Sequence, residues 1–473
     1  MGKRTRILIG LGLAALVNAC AGRNLPPEPD SYVAADAIGA ERAAELAASP
    51  ASTWLDDMNS AEMSQLAREA LAGSPDLQIV EAQYRAARWR ARGAFGGNLL
   101  PTLDIGVDGT REEVPTAGDD RIRTEFMTSS VIASWEIDLW GRLTSRALAS
   151  DLTADAAEED LNGARLSVAG QASRAWVDLI EAQQLLGLAQ EDLQTRERAQ
   201  DLTQRRYDAG IATSLALRTA RSQVASARAF EAQAQDALLI ASRRLQEIMG
   251  RYPDGTLRAE GALPQLAPLA AAGAPADLLE RRPDVLAAEN RMRSAGFRMH
   301  EARAAMLPRL TLTGSAGDTG GSLDSIDDSV NMVSNLVAGL TMPIFQGGAL
   351  FSESRATVAD RRAAAADYVR TSIAAWSEVE GAISADQSLE TREAQFAIAA
   401  EEARAAQELA EREYSRGVAT LFELIDAYTR RIDAERGLIT ARAARVSNRI
   451  TYHVALGGGA RTGGIDEERE LAP

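Results

Sequence analysis

Aligned with itself at a displacement of roughly 207 residues, this chain comes back into register at several unrelated landmarks. Pro75-Asp76-Leu77 meets Pro283-Asp284-Val285, Leu100-Pro101-Thr102-Leu103 meets Leu307-Pro308-Arg309-Leu310, and Trp140-Gly141-Arg142 meets Gln346-Gly347-Gly348. The sharpest match sets Arg205-Arg206-Tyr207-Asp208-Ala209-Gly210-Ile211-Ala212-Thr213 against Arg412-Glu413-Tyr414-Ser415-Arg416-Gly417-Val418-Ala419-Thr420. Whatever the first half builds, the second must build again. The repeats are read as residues 54–250 and 277–456, joined by a Pro- and Gly-bearing strap at 251–276.

Each repeat carries the same series of elements. A shorter helix (Asp76 to about Gly97; Asp284 to about Met306) stops at Leu-Pro, because proline removes a donor and pushes its predecessor toward extended geometry. A β-hairpin is expected next, over 100–139 and again over 308–344. Leu103, Ile105 and Val107 alternate with Asp104, Gly106 and Asp108, and Val131, Ala133, Trp135, Ile137 and Leu139 alternate with Ser134, Glu136 and Asp138. That period of two gives one greasy and one wet face, in runs of about 9–11 residues, the length of a tilted strand crossing a bilayer. The segments 143–208 and 349–415 have no proline and little glycine, so each is predicted to be one helix on the order of 100 Å long. Each closes at Tyr-x-x-Gly and is followed by a return helix, 214–249 and 421–456. The return helix is shorter by about the length of the helix that precedes the strands, so those two can stack end to end alongside the long one. In the last helix Leu421, Ile425, Tyr428, Ile432 and Ile439 keep a coiled-coil spacing.

The amino terminus has a different character. Lys3, Arg4 and Arg6 precede an apolar run, Ile7 to Val17, too short for a permanent membrane helix, so residues 1–19 read as an export signal. Cys20 is the only cysteine and resembles the acylated residue of a bacterial lipobox, although Asn18 stands where small residues are usual; the alternative is an incidental cysteine. Residues 20–53 are then an extended, lipid-anchored segment, and 457–473 a flexible tail. A net charge of -16 with no concentrated basic face excludes a nucleic-acid partner. With two histidines and no nucleophile, phosphate-loop or metal-ligand pattern, neither enzyme activity nor a metal or cofactor is expected.

Four membrane strands cannot close. Their edges would leave backbone groups unpaired in lipid at several kcal/mol each, so the chain must oligomerise. Eight strands give a barrel filled by side chains, whereas twelve leave a lumen, so a trimer suits a conduit. Asp104, Asp108, Glu136 and Asp138 are the expected lumen residues.

Trp135-Glu136-Ile137-Asp138-Leu139-Trp140-Gly141-Arg142, Leu278-Leu279-Glu280-Arg281-Arg282-Pro283-Asp284, Leu307-Pro308 before a strand and Pro343-Ile344-Phe345-Gln346-Gly347-Gly348 resemble the TolC-like outer-membrane factor family, in particular the lipid-anchored branch serving resistance-nodulation-division pumps. The resemblance runs from about Trp54 to Leu456. It implies a mainly α fold with a transmembrane β-barrel: a homotrimer whose twelve strands continue into a periplasmic α-helical coiled-coil barrel. Its implied partners are a periplasmic adaptor, an inner-membrane pump and outer-membrane lipid, and its implied role is a passive exit duct.

By the same resemblance Glu423 and Asp426, one face of the last helix, form an acidic ring in the periplasmic entrance; the plain reading is a solvated helix face. Their counterparts in the first repeat are Ala216 and Thr219. Tyr414 matches a tyrosine that holds some entrances shut, while Ala419 stands where that lock has an arginine. Tyr207, Gly210, Thr213, Gly417 and Thr420 mark hairpin tips, as adaptor contacts or as ordinary helix ends. Trp135 and Trp140 suit either an interfacial girdle or core packing. The rival readings are a duct for type I protein secretion or metal-ion efflux and, from another class, a periplasmic coiled-coil adaptor or scaffold lipoprotein.

Overall fold

The computed structural model describes residues 53–115, 121–266, 269, 281–320 and 332–458. Cys20, the export signal, the extended segment up to residue 52, part of the strap and the tail from 459 lie outside the described residues. The elements are α1 (Thr53–Asp57), α2 (Ala61–Gly73), α3 (Pro75–Leu99), β1 (Thr102–Pro115), β2 (Arg121–Ile137), α4 (Arg142–Asp208), α5 (Ser214–Ile248), α6 (Pro283–Ala304), β3 (Arg309–Gly320), β4 (Met332–Thr341), α7 (Ala349–Arg416) and α8 (Leu421–Ala455). The order helix, strand, strand, long helix, return helix thus occurs twice. Pro75 and Pro283 sit at the first helical positions of α3 and α6, where a missing N–H costs nothing.

The four strands form one antiparallel sheet in the order β1-β2-β3-β4. Their lengths, 14, 17, 12 and 10 residues, exceed the expected 9–11 in three cases. The boundary of β2 also corrects the sequence reading: it ends at Ile137, so Asp138 and Leu139 lie beyond the strand.

Below the sheet, α4 and α7 run 67 and 68 residues, about 100 Å each. The end of α5 abuts the start of α3, and the end of α8 abuts the start of α6, so each pair stacks beside the long helices. Glycine makes both junctions possible. At Gly250 (φ +71°) an added Cβ would lie 2.3 Å from the Gly73 carbonyl oxygen, and at Gly457 (φ +84°) 3.1 Å from that of Arg281. Neither the left-handed backbone nor the close approach suits a larger residue.

The largest core cluster lies partway along the helices, around the fully buried Trp176 of α4. Trp54 and Leu55 of α1, Met63 and Leu71 of α2, Leu245 of α5 and Ile450 of α8 converge there. The N-cap of α2 is Ser60, whose hydroxyl accepts from Met63 N at 3.3 Å. This helix is absent from the sequence reading, although Met63, Ala67, Ala70 and Leu71 carry a helical 4-3 spacing. The strap is fastened over the same core. Gln183 donates to and accepts from the Ala259 backbone (3.0 and 2.8 Å), and the Glu62 carboxylate accepts from Glu260 N and Gly261 N (2.9 and 2.7 Å).

Candidate functional site

The sheet register assigns every strand residue to a face, because directly paired residues point the same way and neighbours alternate. Leu103, Ile105 and Val107 of β1 share a face with Val131, Ala133, Trp135 and Ile137 of β2, Leu310, Leu312 and Ala316 of β3 and Leu336, Ala338 and Leu340 of β4. This apolar surface is bare: Leu103 is 71% exposed and Leu336 73%. From Met127 to Ile137 the strand rises on the order of 30 Å, or about 25 Å when tilted as barrel strands are, which is the height of an outer-membrane apolar band. Beyond it, towards the hairpin tip, the same face turns charged, with Arg111 and its cross-strand partner Glu125 3.1 Å apart. No helix among the described residues is long and apolar enough to cross a membrane.

On the opposite face lie Asp104 and Asp108, both exposed, with Thr128, Ser130, Ser134, Glu136, Thr311, Thr313, Ser315 and Asn335; Ile132, Val333 and Val337 interrupt them. Glu136 is not a free carboxylate, since it pairs with Arg142 at 2.7 Å. Asp138 does something the alternating pattern concealed. Its oxygens accept from Leu143 N (3.0 Å), Thr144 N (2.8 Å) and the Thr144 hydroxyl (2.7 Å), satisfying donors that the first turn of α4 leaves unpaired. It is a helix cap at the strand-to-helix junction rather than a strand residue. Trp135 and Trp140 are exposed, and their indole N–H groups donate to the carbonyls of Leu99 (3.1 Å) and Pro308 (2.7 Å), tying helix-to-strand junctions to the sheet.

At the far end, the two tips use the same turn chemistry. Gly210 (φ +74°) and Gly417 (φ +79°) take the left-handed conformation that ends α4 and α7. Thr213 and Thr420 cap the return helices, accepting from Ala216 N (3.2 Å) and Glu423 N (3.3 Å). Only the second tip adds an acid. Glu423 completes a capping box by accepting from Thr420 N (2.6 Å) and its hydroxyl (2.9 Å), and these bonds hold its carboxyl below the ordinary glutamate range. Asp426, also exposed, pairs with Arg430 at 2.7 Å. Both acids point away from the buried seam. That seam is formed by Leu421, Leu424, Ala427, Tyr428 and Ile432, while Ile425 and Ile439 of the expected spacing are only half-buried.

The two tyrosines separate the tips further. Tyr207 is 41% exposed and Tyr414 4%. The phenol of Tyr414 lies 2.9 Å from the Thr203 hydroxyl of α4; that hydroxyl donates to Ala199 O, so the phenol is the donor. Arg206 closes the contact, donating to Tyr414 O at 2.6 Å with its guanidinium 4.7 Å from the ring centre. Ala419 leaves the second hairpin without a cation at the matched position, and the first hairpin supplies one. Sequence reasoning missed Arg206 and Thr203 because residues 208 and 211 positions away grip the ring, and no local pattern announces that.

A charge chain with a buried centre and exposed ends backs this contact higher up. Arg431, 3% exposed, joins α8 to Glu191 of α4 (2.7 Å) and to Glu435 (3.1 Å), which in turn holds Arg404 of α7 (2.6 Å). Burial pushes the Tyr428 hydroxyl well above the ordinary tyrosine range, and the Glu411 carboxylate adds to the shift. Among the described residues no group of three or more His, Cys, Asp or Glu is placed to hold a metal ion.

Known proteins share this architecture. The family described as "Outer membrane efflux protein" matches residues 66–251 and again 274–458. The pyoverdine export outer membrane protein OpmQ of Pseudomonas putida is 30% identical over 88% of this chain and 90% of its own length. Outer membrane protein OprJ of Pseudomonas aeruginosa is 29% identical over 97% and 96%. Among solved structures, the outer-membrane channel OprN superposes with a TM-score of 0.80 at 27% identity, covering 86% of this chain and 92% of that one. VceC of Vibrio cholerae gives 0.78 at 25%, covering 86% and 98%. With two segments spanning most of the chain matched and nearly the full length of these relatives covered, the chain belongs to the outer membrane efflux protein family.

Proposed function

We propose that three copies of this chain form an outer-membrane exit duct, a twelve-stranded barrel continued by a helical tube into the periplasm, which passively releases small molecules delivered by an inner-membrane pump through a periplasmic adaptor. One observation carries the reading: a four-stranded sheet with one bare apolar face and two open edges stands on helices about 100 Å long. Edge strands β1 and β4 each have one unpaired side, which in lipid would cost several kcal/mol per backbone group, so copies joined edge to edge remove the cost. Twelve strands leave a lumen lined by the face of Asp104, Asp108 and Glu136. The exposed apolar residues on the outermost helices, Trp89 and Phe95 of α3 and Val369 and Ile373 of α7, fit the same joint at periplasmic level.

In this reading the tip is the gate. Tyr414, held by Arg206 and Thr203, keeps the second hairpin against the first. Glu423 and Asp426 give the trimer an acidic ring that favours cations, moderated by Arg430. Tyr207, Gly210, Thr213, Gly417 and Thr420 lie where an adaptor would meet the tips. Cys20, directly after the apolar run of the export signal, is the acylation point for an outer-membrane anchor.

The test is reconstitution of the full chain in planar bilayers. Wild-type trimers should conduct poorly, Glu423→Ala with Asp426→Ala should weaken block by multivalent cations, and Arg206→Ala with Tyr414→Phe should raise conductance several-fold. A protein that stays a single chain and passes no ions in any of these forms would overturn the reading.

A further inference from the structure

A groove of about 740 Å³ lies between α6 and α7, on the side of α6 turned away from α4. Arg293 and Arg303 of α6 and Arg361 and Arg362 of α7 line it, and no carboxylate does. None of these four has an ion pair or side-chain hydrogen bond among the described residues. The contrast on the same helix is direct: on the side facing α4, Arg291 pairs with Asp160 and Arg298 donates to Thr153 at 3.3 Å. All four are exposed, so solvent and salt screen their repulsion, and an anion entering the groove would meet four guanidinium donors at once in a chain of net charge -16.

Apart from His300, the rest of the lining is apolar. Phe297 and Met299 of α6 and Val358 of α7 form it, and Gly296 leaves space where a Cβ would meet nothing within 4 Å. Guanidinium forks suit the paired oxygens of phosphate, sulfonate or carboxylate, and the apolar wall suits a hydrocarbon or aromatic body. The volume is that of a site for one small molecule. Arg303, the penultimate residue of α6, places the upper end of the groove directly below β3, at the membrane end of the helices.

We infer that this groove binds an anionic amphiphile, its phosphate-like head held by Arg293, Arg303, Arg361 and Arg362 and its apolar body laid along Phe297, Met299 and Val358. The groove stands apart from the gate, but its Val358 and Arg362 share a face of α7 with Val369 and Ile373, so the assembled chain is the form to test. Such a ligand has two sources, an anionic phospholipid of the adjoining leaflet or a soluble anionic amphiphile in transit, because basic pockets beside membranes take lipid head groups by the same chemistry.

The experiment uses the assembled full chain in discs of zwitterionic lipid and two photoreactive probes of equal chain length, an alkyl phosphate and the uncharged alcohol. The phosphate should label peptides spanning 292–303 and 358–365 saturably, about tenfold more than the alcohol. Arg361→Glu with Arg362→Glu should weaken labelling about tenfold or more, whereas lysine at both positions, which keeps the charge and loses the fork, should weaken it less. Gly296→Leu, which fills the floor and leaves the charges alone, should also abolish it. Native mass spectrometry of protein taken from its own membrane then separates the sources. An anionic phospholipid that co-purifies with wild type and not with the double glutamate variant identifies a lipid site; no retained lipid beside saturable probe labelling identifies a site for soluble amphiphiles. Equal labelling by the alcohol, labelling unchanged by charge reversal or by Gly296→Leu, or labelling only of dissociated single chains would each overturn the inference.

Discussion

α4 and α7 hold the same place in their repeats and have nearly the same length, yet α4 buries 25 residues and α7 only 8. Among the described residues α4 packs against helices of both repeats, α2, α3, α5, α6 and α8, while α7 has substantial contact only with α6 and α8. The same order of elements has therefore not produced the same environment. α4 is the interior helix of one copy, and α7 is an edge whose apolar residues, Val369 and Ile373 among them, stay more than half exposed. In the proposed trimer, this exposed row on a 68-residue helix is the joint to the next copy.

The comparison can be broken at its strongest point. Trp176→Ala in α4 should destabilise the protomer by about 3–5 kcal/mol, the usual cost of emptying a buried aromatic site. Val369→Glu with Ile373→Glu in α7 should change protomer stability by only about 0.5 kcal/mol and still abolish assembly on native gels. If the α7 variant assembles normally, its bare face is not a joint between copies.

The next effect sets one repeat against the other. Gly250→Ala brings a Cβ against a backbone carbonyl and forces a left-handed alanine, so a loss of about 2–4 kcal/mol in chemical denaturation is expected. Gly457→Ala, whose nearest carbonyl is 3.1 Å away, should cost roughly half as much. Equal effects would mean that the two end-to-end stacks are equivalent after all.

The smallest effect is pH-dependent. His453 of α8 stacks on Trp54 with ring centres 5.7 Å apart. Burial holds its imidazole below the ordinary range, Asp57 opposes that and Arg449 adds to it. A base with a depressed folded-state pKa binds protons more tightly when unfolded. Its contribution is therefore present above about pH 6.5 and is lost as pH falls through that value toward the folded-state pKa. Between pH 7.5 and 5.5 the wild type should lose more thermal stability than His453→Gln. Asp178 and Glu181, whose carboxyls burial raises, act with the opposite sign in both proteins and cancel from the difference.

Much of this was legible before any coordinate. Leu100-Pro101 and Leu307-Pro308 stop α3 and α6 and start strands, Tyr-x-x-Gly closes both long helices, and Leu103, Ile105 and Val107 already display the bare face. Asp138 was legible as an acid but not as a cap, because strand parity and helix capping make the same demand for a polar residue there. Nothing local marks Arg431 and Glu435 as buried, since a charge goes inside only where a counter-charge from another helix meets it.

Period, stops and face parity arise from sterics and backbone hydrogen bonding over a few residues, so the chain carries them in its local order. Partnership does not. That Arg206 rather than a neighbour grips Tyr414, that α4 lies inside and α7 at the rim, and that four arginines share one groove depend on which helices end up adjacent. Charge pairing and burial are set by neighbours tens to hundreds of residues apart, and only the packed structure brings those together.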